Sequence, residues 1–295
     1  MKNILYIIFS LFVIVGCKKI NLDALAFPSE KTDAYLLEAY EREIILSESY
    51  NIPEDRIHIF PLTSTDPKTG ETFQIYSIYI GDLSTIATDS VILYAHGQSR
   101  NMDAYWDRAK LLANLTSKNK YGVLMMDYRG YGMSEGESTE QGLYDDVEAC
   151  INWLDEQGVD EKHTIYYGFS LGCIPVIHHA AYKTDFVPAK IILESPLASV
   201  ENLAHSSTLI NVDPKFMSTL VFNNAEKIKD VTVPLLWLHG IEDDYIEISN
   251  GQLIYNNYDG TYKEAQKVPN AGHSDIPSIL GFNNYLEILE TYILK

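Results

Sequence analysis

The sequence predicts an α/β fold built on a mostly parallel central sheet. Three observations lead there. Short apolar runs bounded by turn residues recur along the chain, as strands buried on both faces require. Stretches of helical period lie between them, so strand and helix alternate. A chain of 295 residues, 46% of them hydrophobic, is long enough to bury the core that such a sheet needs.

Composition removes several other classes. At 46% hydrophobic and 21% charged, the chain is neither collagen-like nor disordered. Acidic residues outnumber basic ones 41 to 22, for a net charge of −19. Such a chain repels phosphate backbones, so no nucleic-acid partner is expected.

The elements follow in order. Met1-Lys2-Asn3 is a basic start, and Ile4 to Val15 is apolar except for Ser10. That run is too short to span a bilayer comfortably and suits a secretion signal over 1–16. Its ending, Ile14-Val15-Gly16-Cys17, resembles the bacterial lipobox. The resemblance implies that Cys17 is lipidated and begins the mature chain, anchored in a membrane of the cell envelope. Position 18 is Lys rather than the Asp of inner-membrane retention, which favours the outer membrane. Removal of residues 1–16 makes the net charge −20. Attachment to an anionic surface must then come from acyl chains rather than a basic patch.

Residues 17–54 read as a tether and N-terminal extension. A helical period over 30–48 is marked by Tyr35, Leu36, Ala39, Tyr40, Glu43 and Ile44. The main domain is expected over 55–295. Arg56–Leu62 and Phe73–Ile80 read as two strands joined by the turn-rich segment 64–70. Val91–Ala95, Gly122–Met126, Thr164–Tyr167, Lys190–Leu193 and Pro234–Leu238 are the buried strands, with Glu264–Val268 a weaker sixth. Helices are expected at 103–117, 139–157, 171–183, 246–258 and 281–294. Residues 196–232 have a weaker pattern and suit a small lid.

Gly168-Phe169-Ser170-Leu171-Gly172 is a G-x-S-x-G pentapeptide. Alone it is weak. Here it follows a strand and opens an apolar helix, the setting of a nucleophile elbow. The two glycines remove Cβ atoms that would clash at such a turn. Ser170 is therefore the candidate nucleophile, and the Leu171 N–H, at the helix start, a candidate oxyanion donor.

A serine hydroxyl needs a base. Of eight histidines, only His273 lies in a loop after the terminal strand. A buried carboxylate should orient it. Glu242, Asp243 and Asp244 compete after the penultimate strand, and Glu194, at the end of the strand after the elbow, is a fourth candidate. With any of the first three the order is Ser, acid, His. The second oxyanion donor is expected after Val91–Ala95, where Gly97 permits close approach and the Gln98 N–H is the candidate. His96 reads as a structural hydrogen-bonding residue.

Together these residues resemble the α/β-hydrolase superfamily. They resemble most its serine aminopeptidase-like and monoacylglycerol- or lysophospholipid-lipase-like branch. The similarity covers about residues 70 to 292 and is most distinctive in Asp127-Tyr128-Arg129-Gly130-Tyr131-Gly132-Met133-Ser134-Glu135-Gly136, continuing into Gly142-Leu143-Tyr144-Asp145-Asp146. It implies about eight strands, a Ser-His-Asp triad, and Asp243 as the acid. It implies hydrolysis of a small acyl ester through an acyl-enzyme. The alternatives are amide hydrolysis of the aminopeptidase kind, acyl transfer, and a non-catalytic envelope lipoprotein on the same scaffold.

No cofactor is expected. Gly130-x-Gly132 lacks the third glycine of a dinucleotide fingerprint, with Glu135 in its place. No P-loop pattern occurs. His178 and His179 are adjacent, on different helix faces and without metal-ligand spacing. Cys150 and Cys173 read as small buried hydrophobes within helices, with a disulfide between them left open. Oligomeric state has no signature in the sequence.

Overall fold

The structure is a computed structural model and describes residues 27–40, 44–115, 121–202 and 220–295. The expected signal segment, Cys17, and residues 203–219 of the expected lid lie outside the described residues.

Eight strands form one sheet: β1 Ile57–Thr65, β2 Thr72–Ile80, β3 Ser90–Ala95, β4 Tyr121–Met126, β5 Thr164–Phe169, β6 Lys190–Glu194, β7 Leu235–Gly240 and β8 Lys263–Val268. Their spatial order is β1-β2-β4-β3-β5-β6-β7-β8. β1 and β2 pair antiparallel from Ile57↔Ile80 to Thr65↔Thr72, and β2 runs antiparallel to β4. From β4 to β8 every pairing is parallel. Pro61, which cannot donate to a ladder, lies in the edge strand β1.

Among the described residues the α-helices are α1 Met102–Ala113, α2 Glu140–Glu156, α3 Cys173–Tyr182, α4 Asn224–Lys227, α5 Ile248–Asn257, α6 Ile276–Leu280 and α7 Phe282–Ile293. Alternate residues of each central strand feed opposite layers. Ile92 and Tyr94 pack with Trp106 of α1 and Tyr285 and Leu289 of α7. Val91, Leu93 and Ala95 face Val147 of α2, Val176 of α3 and Ile254 of α5. Side-chain caps open three helices: Asn101 accepts from Asp103 N at α1, Thr139 from Gly142 N at α2, and Asn223 from Glu226 N at α4.

The helix expected over 281–294 is found as α7, and Gly281, at φ +76°, separates it from the short α6 before it. One expectation needs correction. The helical period over 30–48 gives no α-helix among the described residues, only tight turns at Leu37–Ala39 and Glu48–Tyr50. Its polar groups are met by the domain instead. The Leu36 and Leu37 N–H groups donate to Asp103, the Tyr35 hydroxyl donates to Asp127, and Glu38 accepts from Trp106 and Lys110. A parallel bridge joins Lys31 to Gly132, and Phe27 is buried in the core. The extension is a strap over the body, so its spacing reflects contacts made rather than a helix turn.

Cys150 and Cys173 are both free and buried. The Cys150 thiol is close to the Ser77 hydroxyl, and that of Cys173 to the Gly168 carbonyl. Burial pushes both thiols well above their ordinary range.

Candidate active site

Ser170 sits where β5 gives way to α3. Phe169 is still extended, whereas Ser170 has φ +52°, a left-handed conformation unusual for a non-glycine residue. The turn is possible because its flanks lack side chains. A Cβ on Gly168 would meet the Cys173 backbone at 2.7 Å, and one on Gly172 would overlap the Ala95 carbonyl. Chain reversal thus points the hydroxyl out of the sheet's carboxyl end while β3 and α3 stay in close contact.

His273 lies in the loop after β8, turned by Asn270 at φ +61°. Its Nε2 is 2.9 Å from Ser170 Oγ and its Nδ1 is 2.8 Å from Asp243 Oδ2. Asp243 follows β7 with its carboxylate fully buried. Its Oδ1 accepts from the N–H groups of Tyr245 and Ile246 at 3.0 and 2.8 Å. Burial alone would raise the carboxyl pKa. The hydrogen bonds from His239, His273 and the Ile246 backbone outweigh it and hold Asp243 well below the usual carboxylate range. An ionised, fully bonded Asp243 keeps His273 in the Nδ1–H tautomer and leaves the Nε2 lone pair facing Ser170.

The competing acids are elsewhere. Glu242 and Asp244 are exposed. Glu194 is buried but pairs with Arg108 at 2.7 Å and accepts from the hydroxyls of Tyr167 and Tyr285. Ser170, Gln98 and His273 line one cavity of about 360 Å³, with Tyr105, Phe169, Tyr245 and Arg100 among its walls. The Leu171 N–H is in the first turn after the elbow, where a helix has no internal acceptor for it. The Gln98 carbonyl accepts from the Tyr105 hydroxyl at 2.6 Å, which fixes the loop after β3.

His96 sits behind that loop. Its Nε2 is 3.1 Å from Asp127 Oδ1, its ring stacks on Tyr105, and its carbonyl accepts from the Tyr128 hydroxyl. The distinctive Asp127–Gly136 segment is therefore structural. Arg129 bonds to Ser64, Asp145 and Asp146, and a Cβ on Gly132 would overlap the Asp127 carboxylate.

Sequence reasoning missed His239. Its Nδ1 lies 3.1 Å from Trp237 Nε1, a group that only donates, so Nδ1 carries the lone pair and Nε2 the proton. The Nε2–H donates to the Ile246 carbonyl at 2.9 Å and stands 3.3 Å from Asp243 Oδ2. His239 thus pins the turn that holds Asp243. Its position four residues before Asp243 was the one available signal. His178 and His179 serve packing: His178 stacks on Tyr144, and His179 bonds to the Tyr144 carbonyl. Among the described residues no group of three or more His, Cys, Asp or Glu side chains is placed to hold a metal.

An eight-stranded sheet with a strained serine after β5 and an acid and a histidine after β7 and β8 defines the α/β-hydrolase fold. The chain belongs to the α/β-hydrolase family. Residues 90–232 match the α/β hydrolase fold family. The chain is 30% identical to an α/β hydrolase of Acanthamoeba polyphaga mimivirus, over 68% of this chain and 73% of that protein. It is 31% identical to human alpha/beta hydrolase domain-containing protein 17B over 68% of this chain, a match that spans 65% of the human protein's length. A Pyrococcus furiosus esterase has a similar structure, with a TM-score of 0.65 at 15% identity, covering 95% of this chain and 98% of the esterase. A Paleococcus ferrophilus monoacylglycerol lipase is similar at TM-score 0.55 and 16% identity, over 74% of this chain and 99% of that one.

Proposed function

We propose that the protein is a serine hydrolase of small acyl esters, working through an acyl-enzyme. One observation carries this: Ser170 Oγ, His273 and Asp243 are joined by contacts of 2.9 and 2.8 Å, with the acid buried and bonded. In the proposed sequence, Ser170 Oγ attacks the acyl carbonyl as its proton passes to His273 Nε2. Asp243 stabilises the imidazolium. The Leu171 and Gln98 N–H groups receive the oxyanion. Collapse expels the alcohol, which takes the proton from His273. Water then attacks the acyl-serine by the same route and releases the carboxylic acid.

The cavity wall also bears on substrate. It has Arg100 and three aromatic rings, and no carboxylate among its described residues. A free α-ammonium group, as an aminopeptidase binds, would find no counter-charge there. A neutral ester needs none, and an anionic one would face Arg100. We further propose that Cys17 carries a lipid anchor at the cell envelope, on the strength of the apolar run ending at that residue. Among the described residues no helix is long and apolar enough to cross a membrane.

The test of the chemistry is labelling with a fluorophosphonate probe. The wild type should label and turn over p-nitrophenyl butyrate, and Ser170→Ala should do neither. Unlabelled wild type, or labelling that persists in Ser170→Ala, refutes the nucleophile. Turnover of aminoacyl amides but not esters replaces the ester reading. Incorporation of a fatty-acid analogue into the wild type and not into Cys17→Ser tests the anchor.

A further inference from the structure

Arg108 has a position that its place on α1 does not explain. It is 6% exposed. One arm of its guanidinium donates to Glu194 Oε1 at 2.7 Å, and the other to the carbonyl of Ser274 at 2.6 Å. Its plane lies over the Phe169 ring, 4.1 Å from the centroid. Phe169 precedes Ser170, and its ring is 5.3 Å from that of His273. Ser274 follows His273. One buried cation therefore touches the chain neighbours of both the proposed nucleophile and the proposed base.

Glu194 supplies the counter-charge. It is fully buried at the end of β6, and its second oxygen accepts from the hydroxyls of Tyr167 and Tyr285, themselves 2.6 Å apart. As a pure adhesive this is a poor choice, because desolvation of two ions offsets most of their attraction and apolar side chains would pack as well. What an apolar side chain would not do is hold the Ser274 carbonyl with a charged, planar donor.

We propose that Arg108, neutralised and oriented by Glu194, is a positioning residue for His273. It fixes the loop after β8 so that the imidazole meets Ser170 and Asp243 together. This rests on the serine hydrolase reading above. His273 must satisfy two contacts of 2.9 and 2.8 Å at once, and a displacement of about 1 Å costs on the order of 100-fold in rate. The carboxylate that first looked like a rival acid is thus assigned the support of that acid's partner.

Two variants test it. Arg108→Lys keeps the charge but loses the fork that bridges Glu194 and Ser274. The double variant R108M/E194Q removes both charges while filling the space over Phe169 and keeping acceptors for the tyrosines. Each should fold with a thermal midpoint near wild type. Each should lower kcat on p-nitrophenyl butyrate by about 10- to 100-fold, with KM changed no more than about twofold. The His273 Nδ1–H proton resonance, sharp in the wild type, should broaden in both, a readout that needs no turnover. Wild-type kcat and an unchanged resonance in Arg108→Lys overturn the proposal, as does an effect confined to KM. An inactive wild type with a resonance that still broadens counts against the hydrolase reading and not against Arg108.

Discussion

Replacing Asp243 by Asn should abolish nearly all turnover while leaving the fold intact, and the hydrogen bonds around the side chain give the reason. Oδ1 accepts two backbone N–H groups, from Tyr245 and Ile246, and Oδ2 faces His273 Nδ1 at 2.8 Å and His239 Nε2 at 3.3 Å. An asparagine keeps its oxygen toward the two backbone donors, because the reverse orientation would set NH2 against two N–H groups. Its NH2 then points at His273 Nδ1 and can only donate. His273 must move its proton to Nε2, and the lone pair that would accept the Ser170 proton is gone. The expected loss is about 10⁴-fold in kcat, or about 5 kcal/mol of transition-state stabilisation, with KM little changed. Folding should lose about 1–2 kcal/mol, since two backbone donors exchange a charged acceptor for a neutral one. That difference has a pH signature. The folded pKa of Asp243 is depressed below its ordinary 3.8. The stabilisation is therefore fully present above that value and is lost as pH falls through the folded pKa. Ester turnover, probe-labelling rate and urea unfolding at pH 7 and pH 3 measure all three. A kcat within tenfold of wild type would refute the tautomer argument, and a large loss in Asp244→Asn or Glu242→Gln would move the acid elsewhere.

Other outcomes follow from the same structure. Gly172→Ala sets a Cβ into the Ala95 carbonyl and should cost about 1–3 kcal/mol in urea unfolding along with most probe labelling; wild-type stability would contradict the close approach of α3 to β3. Burial holds His179 near a pKa of about 4 and His178 near about 3, against an ordinary 6.5. Both are neutral in the fold and charge on unfolding, so stability should be full above pH 6.5 and fall as pH drops toward 4. His179 alone accounts for about 3 kcal/mol, and His179→Gln should flatten that slope. Arg100→Gln should raise KM about fivefold to tenfold for an ester with a carboxylate on its acyl chain and leave the neutral isostere unchanged. An equal effect on both esters would remove Arg100 from charge recognition.

Much of the scaffold was legible in the sequence. Each expected strand lies within three residues of its observed ends, and the central ones were plainest, because a strand buried on both faces must be apolar throughout and must stop at polar or turn residues. The elbow was legible because its requirement is local: where a strand turns into a helix this tightly, a Cβ at Gly168 or Gly172 would meet backbone, so glycine stands two residues to either side of Ser170. His273 was legible from its place after the last strand. The strap at 27–40 was not, since its Tyr35, Leu36 and Leu37 contacts are made to Asp103 and Asp127, 66 to 92 positions away. Arg108 and His239 stayed hidden for a related reason. A charge on a helix ordinarily reads as a solvated face, whereas the strap and sheet bury Asp107, Arg108 and Lys110 together on α1.

The sequence by itself determined the order of elements, the strained serine, and a short set of carboxylates able to serve the histidine. Those depend on neighbours within a few residues and on hydrophobic period. Which of the carboxylates meets the histidine depends on the tertiary structure alone. Glu242, Asp243 and Asp244 are indistinguishable in local chemistry, but only Asp243 turns inward to two backbone donors and His273, and Glu194 is neutralised by an arginine 86 positions away. Which charge is desolvated, and against which partner, is a property of chain segments meeting in space.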